Sequence, residues 1–190
     1  MTIPFLIANL CFIPIYFFII YRSIRLFAGY SMSTHLVSDL GIKVSHYRIL
    51  FNAGTVVYGV VGTLIPFVLL QVLPKTTFTT ISVVSITITS LCLALLGLFP
   101  MDKPVLHASL SVIEFAALFM SYLFTLYIFL NSSIFPSILI LLNVILLMCI
   151  VLFTWALFMK SDKVFLLEWI IFLGTILWNF TIGFTMLISI

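Results

Sequence analysis

Charge is scarce in this chain. Charged residues make up only 7% of its 190 residues, whereas hydrophobic residues make up 64% and the mean hydropathy is +1.40. Soluble domains contain about 25% charged residues, which cover their water-facing surface. Disordered chains are also excluded, because they are rich in polar and charged residues. The composition therefore indicates an integral membrane protein.

Cysteine and histidine are also rare, with 3 residues of each. Cys11, Cys92 and Cys149 lie inside apolar runs, where cysteine usually behaves as a small hydrophobic residue. We therefore predict no disulfide framework, no metal site and no cofactor. Walker, GxSxG, HExxH and GxGxxG motifs are missing, and no clustered basic face suggests nucleic acid as a partner.

Long apolar runs dominate what is present. A helix needs about 20 mostly apolar residues to cross the hydrocarbon core, and six runs of the chain have roughly this length. They cover residues 3–21, 49–73, 79–99, 107–130, 134–159 and 164–189. Most connections between them are short, which favours antiparallel neighbours. We predict an all-α polytopic membrane bundle of six transmembrane helices, forming a single domain over residues 1–190.

The basic residues are distributed unevenly between the two sides of this bundle. Of the 8 basic residues, only Lys75 falls in an even-numbered connection. The others are Arg22, Arg25, Lys43, Arg48, Lys103, Lys160 and Lys163. By the positive-inside rule, loops 22–48, 100–106 and 160–163 are cytoplasmic and both termini lie outside. The first run lacks a basic n-region and a cleavage site, so we interpret it as a membrane span.

The first loop, residues 22–48, is longer than the others. It has room for an interfacial helix around Ile24–Tyr30 lying on the membrane surface. An ordinary polar connector is the alternative interpretation.

Polar residues recur on one helical face of the fourth span. His107, Ser111 and Glu114 are separated by four and three residues, which places them on the same side of a helix. Glu114 lies about 10 Å deeper than His107 at a rise of 1.5 Å per residue. A carboxyl group at that depth is costly and is expected to face the bundle interior. Glu114 is therefore a candidate functional residue.

Other spans place polar groups at comparable depth. Asn52 near the start of span two and Glu168 near the start of span six lie below the cytoplasmic edge, and Asp102 lies at that edge beside His107. We predict that these groups converge on one cytoplasmic-side pocket. Its candidate ligand-binding residues are Asn52, Asp102, His107, Ser111, Glu114 and Glu168.

Simpler interpretations of the same residues stay open. Serine, threonine and asparagine in spans often only hold helices together. Glu114 is then a protonated, hydrogen-bonded acid, His107 titrates in water, and Asp102 caps the fourth span.

Three segments carry a family resemblance. They are "SDLGIKVSHYRILFNAG" (38–54), "LGLFPMDKPVLHASLS" (96–111) and "LLEWIIFLGTILWNF" (166–180). The chain resembles the six-span membrane family catalogued as domain of unknown function 998. The resemblance places Ser38, Leu40, Gly41, Phe51, Asn52, Phe99, Pro100, Asp102, His107 and Glu168 at the family's motif positions. It implies the six-span topology and the cytoplasmic cluster, and it implies no reaction.

Convergent polar groups without a nucleophile or metal motif favour a protein that binds a lipid or small amphiphile between its spans. A structural or accessory subunit, with membrane-protein partners or a second copy of itself, is the first alternative. A lipid-modifying enzyme, with His107 as base or metal ligand and Asp102 or Glu114 assisting, is the second. A proton-coupled carrier using the two carboxyl groups is the third. Whether the chain is an enzyme is left open.

Overall fold

Backbone amide and carbonyl groups find no water in a membrane, so an apolar run satisfies them by forming a helix. The computed structural model describes residues 3–42 and 47–189, and this part of the chain is built from helices without a strand. Residues 43–46 of the first loop, including Lys43, lie outside the described residues.

The long helices follow the apolar runs. They are α1 (Ile3–Leu26), α2 (Arg48–Gly62), α3 (Leu64–Val72), α4 (Thr77–Leu98), α5 (Pro104–Leu130), α6 (Ser137–Phe158) and α7 (Lys163–Ser189). Together α2 and α3 form one span, so the described part of the chain contains six helical segments that are long and apolar enough to cross a membrane. The predicted all-α, six-span bundle is confirmed, and the chain has the architecture of an integral membrane protein.

The second span is interrupted at Thr63, between α2 and α3. Pro66 has no backbone N–H and its ring conflicts with the carbonyl group of Gly62, four residues earlier. At the break, the Thr63 hydroxyl donates a hydrogen bond to the Val60 carbonyl oxygen over 2.7 Å. The break was not predicted from the sequence, which indicated one continuous span.

The spans form a ring in which each packs against the next in the chain. The order is α1, α2, α4, α5, α6 and α7, and α7 closes the ring against α1. Loops one, three and five lie at the same end, which we call the basic end. Its basic side chains in the described part are Arg22, Arg25, Arg48, Lys103, Lys160 and Lys163.

The described part of the first loop packs onto the bundle as a cap. Helix α1 continues to Leu26 and the following residues form turns, so no interfacial helix is found at Ile24–Tyr30. A short 3₁₀ helix, Val37–Gly41, follows and contacts α2 and α7. Its Leu40 is fully buried, so the loop contributes to the core.

Aromatic side chains hold the loop in place upstream of the 3₁₀ helix. Tyr30 stacks on His35 with ring centroids 5.0 Å apart, and its hydroxyl donates to the Leu36 carbonyl oxygen over 2.7 Å. Burial raises the pKa of the Tyr30 phenol well above its usual range, so the phenol keeps its donor hydrogen. The Trp169 indole N–H of α7 donates to the His35 carbonyl oxygen over 3.3 Å.

Candidate functional site

A cavity of about 120 Å³ lies inside the ring and extends towards the basic end. Its wall is formed by α1, α2, α4, α5, α7 and the 3₁₀ helix. Among the residues that the structure describes, α6 contributes none of the lining. The cavity therefore lies off-centre, on the side of the bundle where the first loop is packed.

The structure brings five of the six candidate residues to this cavity. They are Asn52, His107, Ser111, Glu114 and Glu168. Asp102 is not among the lining residues, and its side chain is exposed in the turn before α5.

The two carboxyl groups enter the cavity from α5 and α7. Both Glu114 and Glu168 are half-buried and line the cavity wall. Within the described residues, the Glu168 Oε2 atom is buried without a hydrogen-bond partner, and no basic side chain lies within 4.0 Å of either carboxyl group. An isolated carboxylate in apolar surroundings is strongly destabilised. Each group therefore requires a proton or a cation from outside this part of the chain.

His107 lines the cavity near its basic end. Its Nδ1 atom lies 2.9 Å from the Phe99 carbonyl oxygen. A carbonyl oxygen only accepts hydrogen bonds, so Nδ1 carries the hydrogen in this contact. In the neutral ring, Nε2 is then left with a lone pair, and His107 is an additional acceptor at the cavity.

The threonine hydroxyls in the wall also present acceptors. Thr55, Thr89 and Thr175 each donate their hydrogen to the carbonyl oxygen four residues earlier, over 2.9, 3.0 and 2.7 Å. The Tyr16 hydroxyl, 2.9 Å from the Thr55 oxygen, must then be the donor of that pair. The Tyr122 hydroxyl likewise donates to the Thr175 oxygen over 2.7 Å. Since their hydrogens are already used, the three threonines can offer only their remaining oxygen lone pairs to a bound molecule.

Aromatic rings complete the wall. Tyr16 and Tyr58 stack with ring centroids 4.6 Å apart, and Phe51, Phe115 and Phe172 also line the cavity. Sequence reasoning did not predict this aromatic lining. The available signal was a tyrosine in the middle of an apolar span, since its buried hydroxyl needs a partner.

No group of three or more His, Cys, Asp or Glu side chains able to hold a metal ion is found in the described part of the chain.

Asn52 connects the cavity wall to the cap. Its Nδ2 atom donates to the Gly41 carbonyl oxygen at the end of the 3₁₀ helix, over 3.0 Å. A Cβ atom on Gly41 would overlap the Asn52 amide, so glycine is needed for this close approach. The Ser38 hydroxyl donates to the Met101 sulfur over 3.3 Å, which joins the cap to the third loop.

A sequence model of the family described as "Protein of unknown function (DUF998)" matches residues 10–185. The chain belongs to the DUF998 family. The match includes every cavity-lining residue, from Tyr16 in α1 to Asn179 in α7. No curated protein and no solved structure matches the chain.

The three segments that resemble DUF998 meet at the basic end of the bundle. Segment 38–54 contributes the cap and Asn52, segment 96–111 contributes Met101 and His107, and segment 166–180 begins beside the cap. The DUF998-like motifs, far apart in sequence, thus surround one end of the cavity.

Proposed function

We propose that this protein binds a lipid or small amphiphile, with the polar group of that molecule inside the cavity. The supporting observation is a cavity with largely apolar walls that also contains two carboxyl groups without a basic partner among the described residues. Pockets that combine apolar surface with a few convergent polar groups are typical of small-molecule sites.

The size of the cavity limits which part of the ligand enters. Its volume of about 120 Å³ is slightly below that of a cavity of about 150 Å³ that accommodates benzene. A polar group of about six non-hydrogen atoms is therefore the largest that fits without rearrangement. The apolar remainder of an amphiphile would extend towards the membrane, where burial of its chain adds binding free energy.

Filling the cavity is expected to remove the ligand. Ser111→Phe places a ring where a half-buried serine now lines the cavity, and we expect at least 10-fold less co-purified amphiphile. Val112→Phe is the matched control, because Val112 is 70% exposed on the lipid-facing side. The measurement is native mass spectrometry combined with lipid extraction of the purified protein. Unchanged amphiphile content in Ser111→Phe would contradict the proposal.

The proposed orientation places the basic end in the cytoplasm. It is supported by the basic residues of loops one, three and five. In a variant without native cysteines, Ser133→Cys is expected to react with a membrane-impermeant maleimide on intact cells. Asp162→Cys is expected to react only after permeabilisation. The opposite labelling pattern would place loops 22–48, 100–106 and 160–163 outside.

A further inference from the structure

The cavity wall carries more acidic than basic side chains. Among the described lining residues there are two carboxyl groups and one imidazole, and there is neither lysine nor arginine. A carboxylate or phosphate placed here would meet no lysine or arginine among the described lining residues and would lose its hydration. A cationic group would instead be attracted to Glu114 and Glu168 and would supply the partner that the buried Glu168 Oε2 atom lacks.

The hydrogen-bonding groups of the cavity wall also favour a positively charged ligand. The Thr55, Thr89 and Thr175 hydroxyls have their hydrogens engaged by backbone carbonyl groups, so they offer lone pairs. The His107 Nδ1 hydrogen is likewise engaged by a carbonyl oxygen. Each of these groups presents a lone pair, so the wall provides acceptors for a ligand that brings donors or a positive charge.

The aromatic rings distinguish between kinds of cation. Hard metal ions such as Ca²⁺ take about six to eight oxygen ligands, which two carboxyl groups among aromatic rings do not provide. Ammonium groups, in contrast, are bound by carboxylates together with the faces of aromatic rings. Tyr16, Phe51, Tyr58, Phe115 and Phe172 line the same cavity as the two glutamates.

We propose that the group entering the cavity is an ammonium group, supplied either by the headgroup of an amine-containing lipid or by a free alkylammonium ion. This inference rests on the proposed amphiphile binding and specifies its chemistry. Glu114 and Glu168 supply the negative charge that faces the ligand, and the five aromatic side chains and the 3₁₀ helix form part of the same cavity wall.

Three ligands with the same 12-carbon chain test the proposal. Purified protein in dodecyl maltoside is incubated separately with equal concentrations of dodecyltrimethylammonium, dodecanol and dodecanoate, and occupancy is read by native mass spectrometry. We expect the ammonium ligand to bind at least 10-fold more tightly than the alcohol, and dodecanoate to bind more weakly still. Equal binding of the alcohol, or preferred binding of dodecanoate, would overturn the ammonium assignment while amphiphile binding stands.

Neutral substitutions of Glu114 and Glu168 test whether these two side chains cause the preference for the ammonium ligand. Glu114→Gln and Glu168→Gln are each expected to lower the affinity for the ammonium ligand at least 10-fold and the affinity for dodecanol by a much smaller factor. Asp162→Asn removes an exposed acid of the fifth loop and serves as the control. Undiminished ammonium binding in both glutamine variants would overturn the assignment, and failure of all three ligands to bind the parent protein would overturn the amphiphile proposal as well.

Free tetramethylammonium identifies the source of the group. Competition with dodecyltrimethylammonium at similar concentration would support a free ammonium ion as the ligand. If binding instead requires the dodecyl chain, the result would support a lipid headgroup as the source of the ammonium group. Both results support the ammonium chemistry, whereas displacement by tetramethylammonium that is identical in the parent and both glutamine variants would contradict it.

Discussion

Replacing Gly59 by alanine is expected to destabilise the bundle by about 3 kcal/mol, because overpacking at a rigid contact forces the backbone to move. A methyl group at this position of α2 would lie 2.6 Å from the Ser90 carbonyl oxygen and 2.8 Å from the Ala94 Cα atom. Both are backbone atoms of α4, so no side-chain rotation relieves the overlap. The two helices would have to separate along the wall of the cavity.

Gly54→Ala in the same helix is the matched control. The nearest atoms to its added methyl group are the Cδ1 and Cγ2 methyl carbons of the Ile19 side chain, at 3.0 and 3.2 Å. A small shift of Ile19 is offset by the higher helix propensity of alanine, so we expect a change within about 1 kcal/mol. Unfolding in mixed micelles of dodecyl sulfate and a non-ionic detergent measures both variants. Equal stability of Gly59→Ala and Gly54→Ala would show that α2 and α4 are not in such close contact.

Replacing Asn143 by leucine is expected to cost about 2 kcal/mol, because it leaves buried donors and acceptors without partners. Asn143 is fully buried in α6, and its Oδ1 atom accepts from the Trp178 indole N–H of α7 over 2.5 Å. Its Nδ2 atom donates to the Thr125 hydroxyl oxygen over 3.0 Å and to the Tyr122 carbonyl oxygen over 3.3 Å, both in α5. One amide thus joins three helices.

Two further variants separate this network from a general effect of asparagine removal. Asn131→Leu removes an exposed amide that contacts only its own helix, and we expect a change below about 0.5 kcal/mol. Trp178→Phe removes the indole N–H, so its cost and that of Asn143→Leu should sum to more than the cost of the double variant. Strict additivity of the two substitutions would contradict direct coupling.

Length and hydropathy were sufficient to predict the six spans. An apolar run has few ways to satisfy its backbone in a membrane, so each run became a helical span. The break at Thr63 was missed because its cause is local: Pro66 removes one donor within an otherwise apolar run. The interfacial helix that the sequence allowed is not found for a different reason, since Tyr30 and His35 are held by α7, which lies far along the chain.

The cavity was only partly predictable. The helical spacing of His107, Ser111 and Glu114 fixed their common face, and all three line the cavity. Asp102 was included because it is close to His107 in sequence, but turn geometry leaves its side chain exposed. The stacking of Tyr16 on Tyr58 in the cavity wall depends on how α1 and α2 pack. Periodicity within a single helix does not determine this packing.

The cap has a kinetic consequence for any molecule held beneath it. The 3₁₀ helix is hydrogen-bonded to α2 through Gly41 and to the third loop through Ser38, and the residues before it are bonded to α7 through His35. A molecule that leaves the cavity past Val37 and Ser38 has to break these contacts. The residence time of a bound ligand would then be governed by how often the cap opens. It would be long even for a ligand of low affinity.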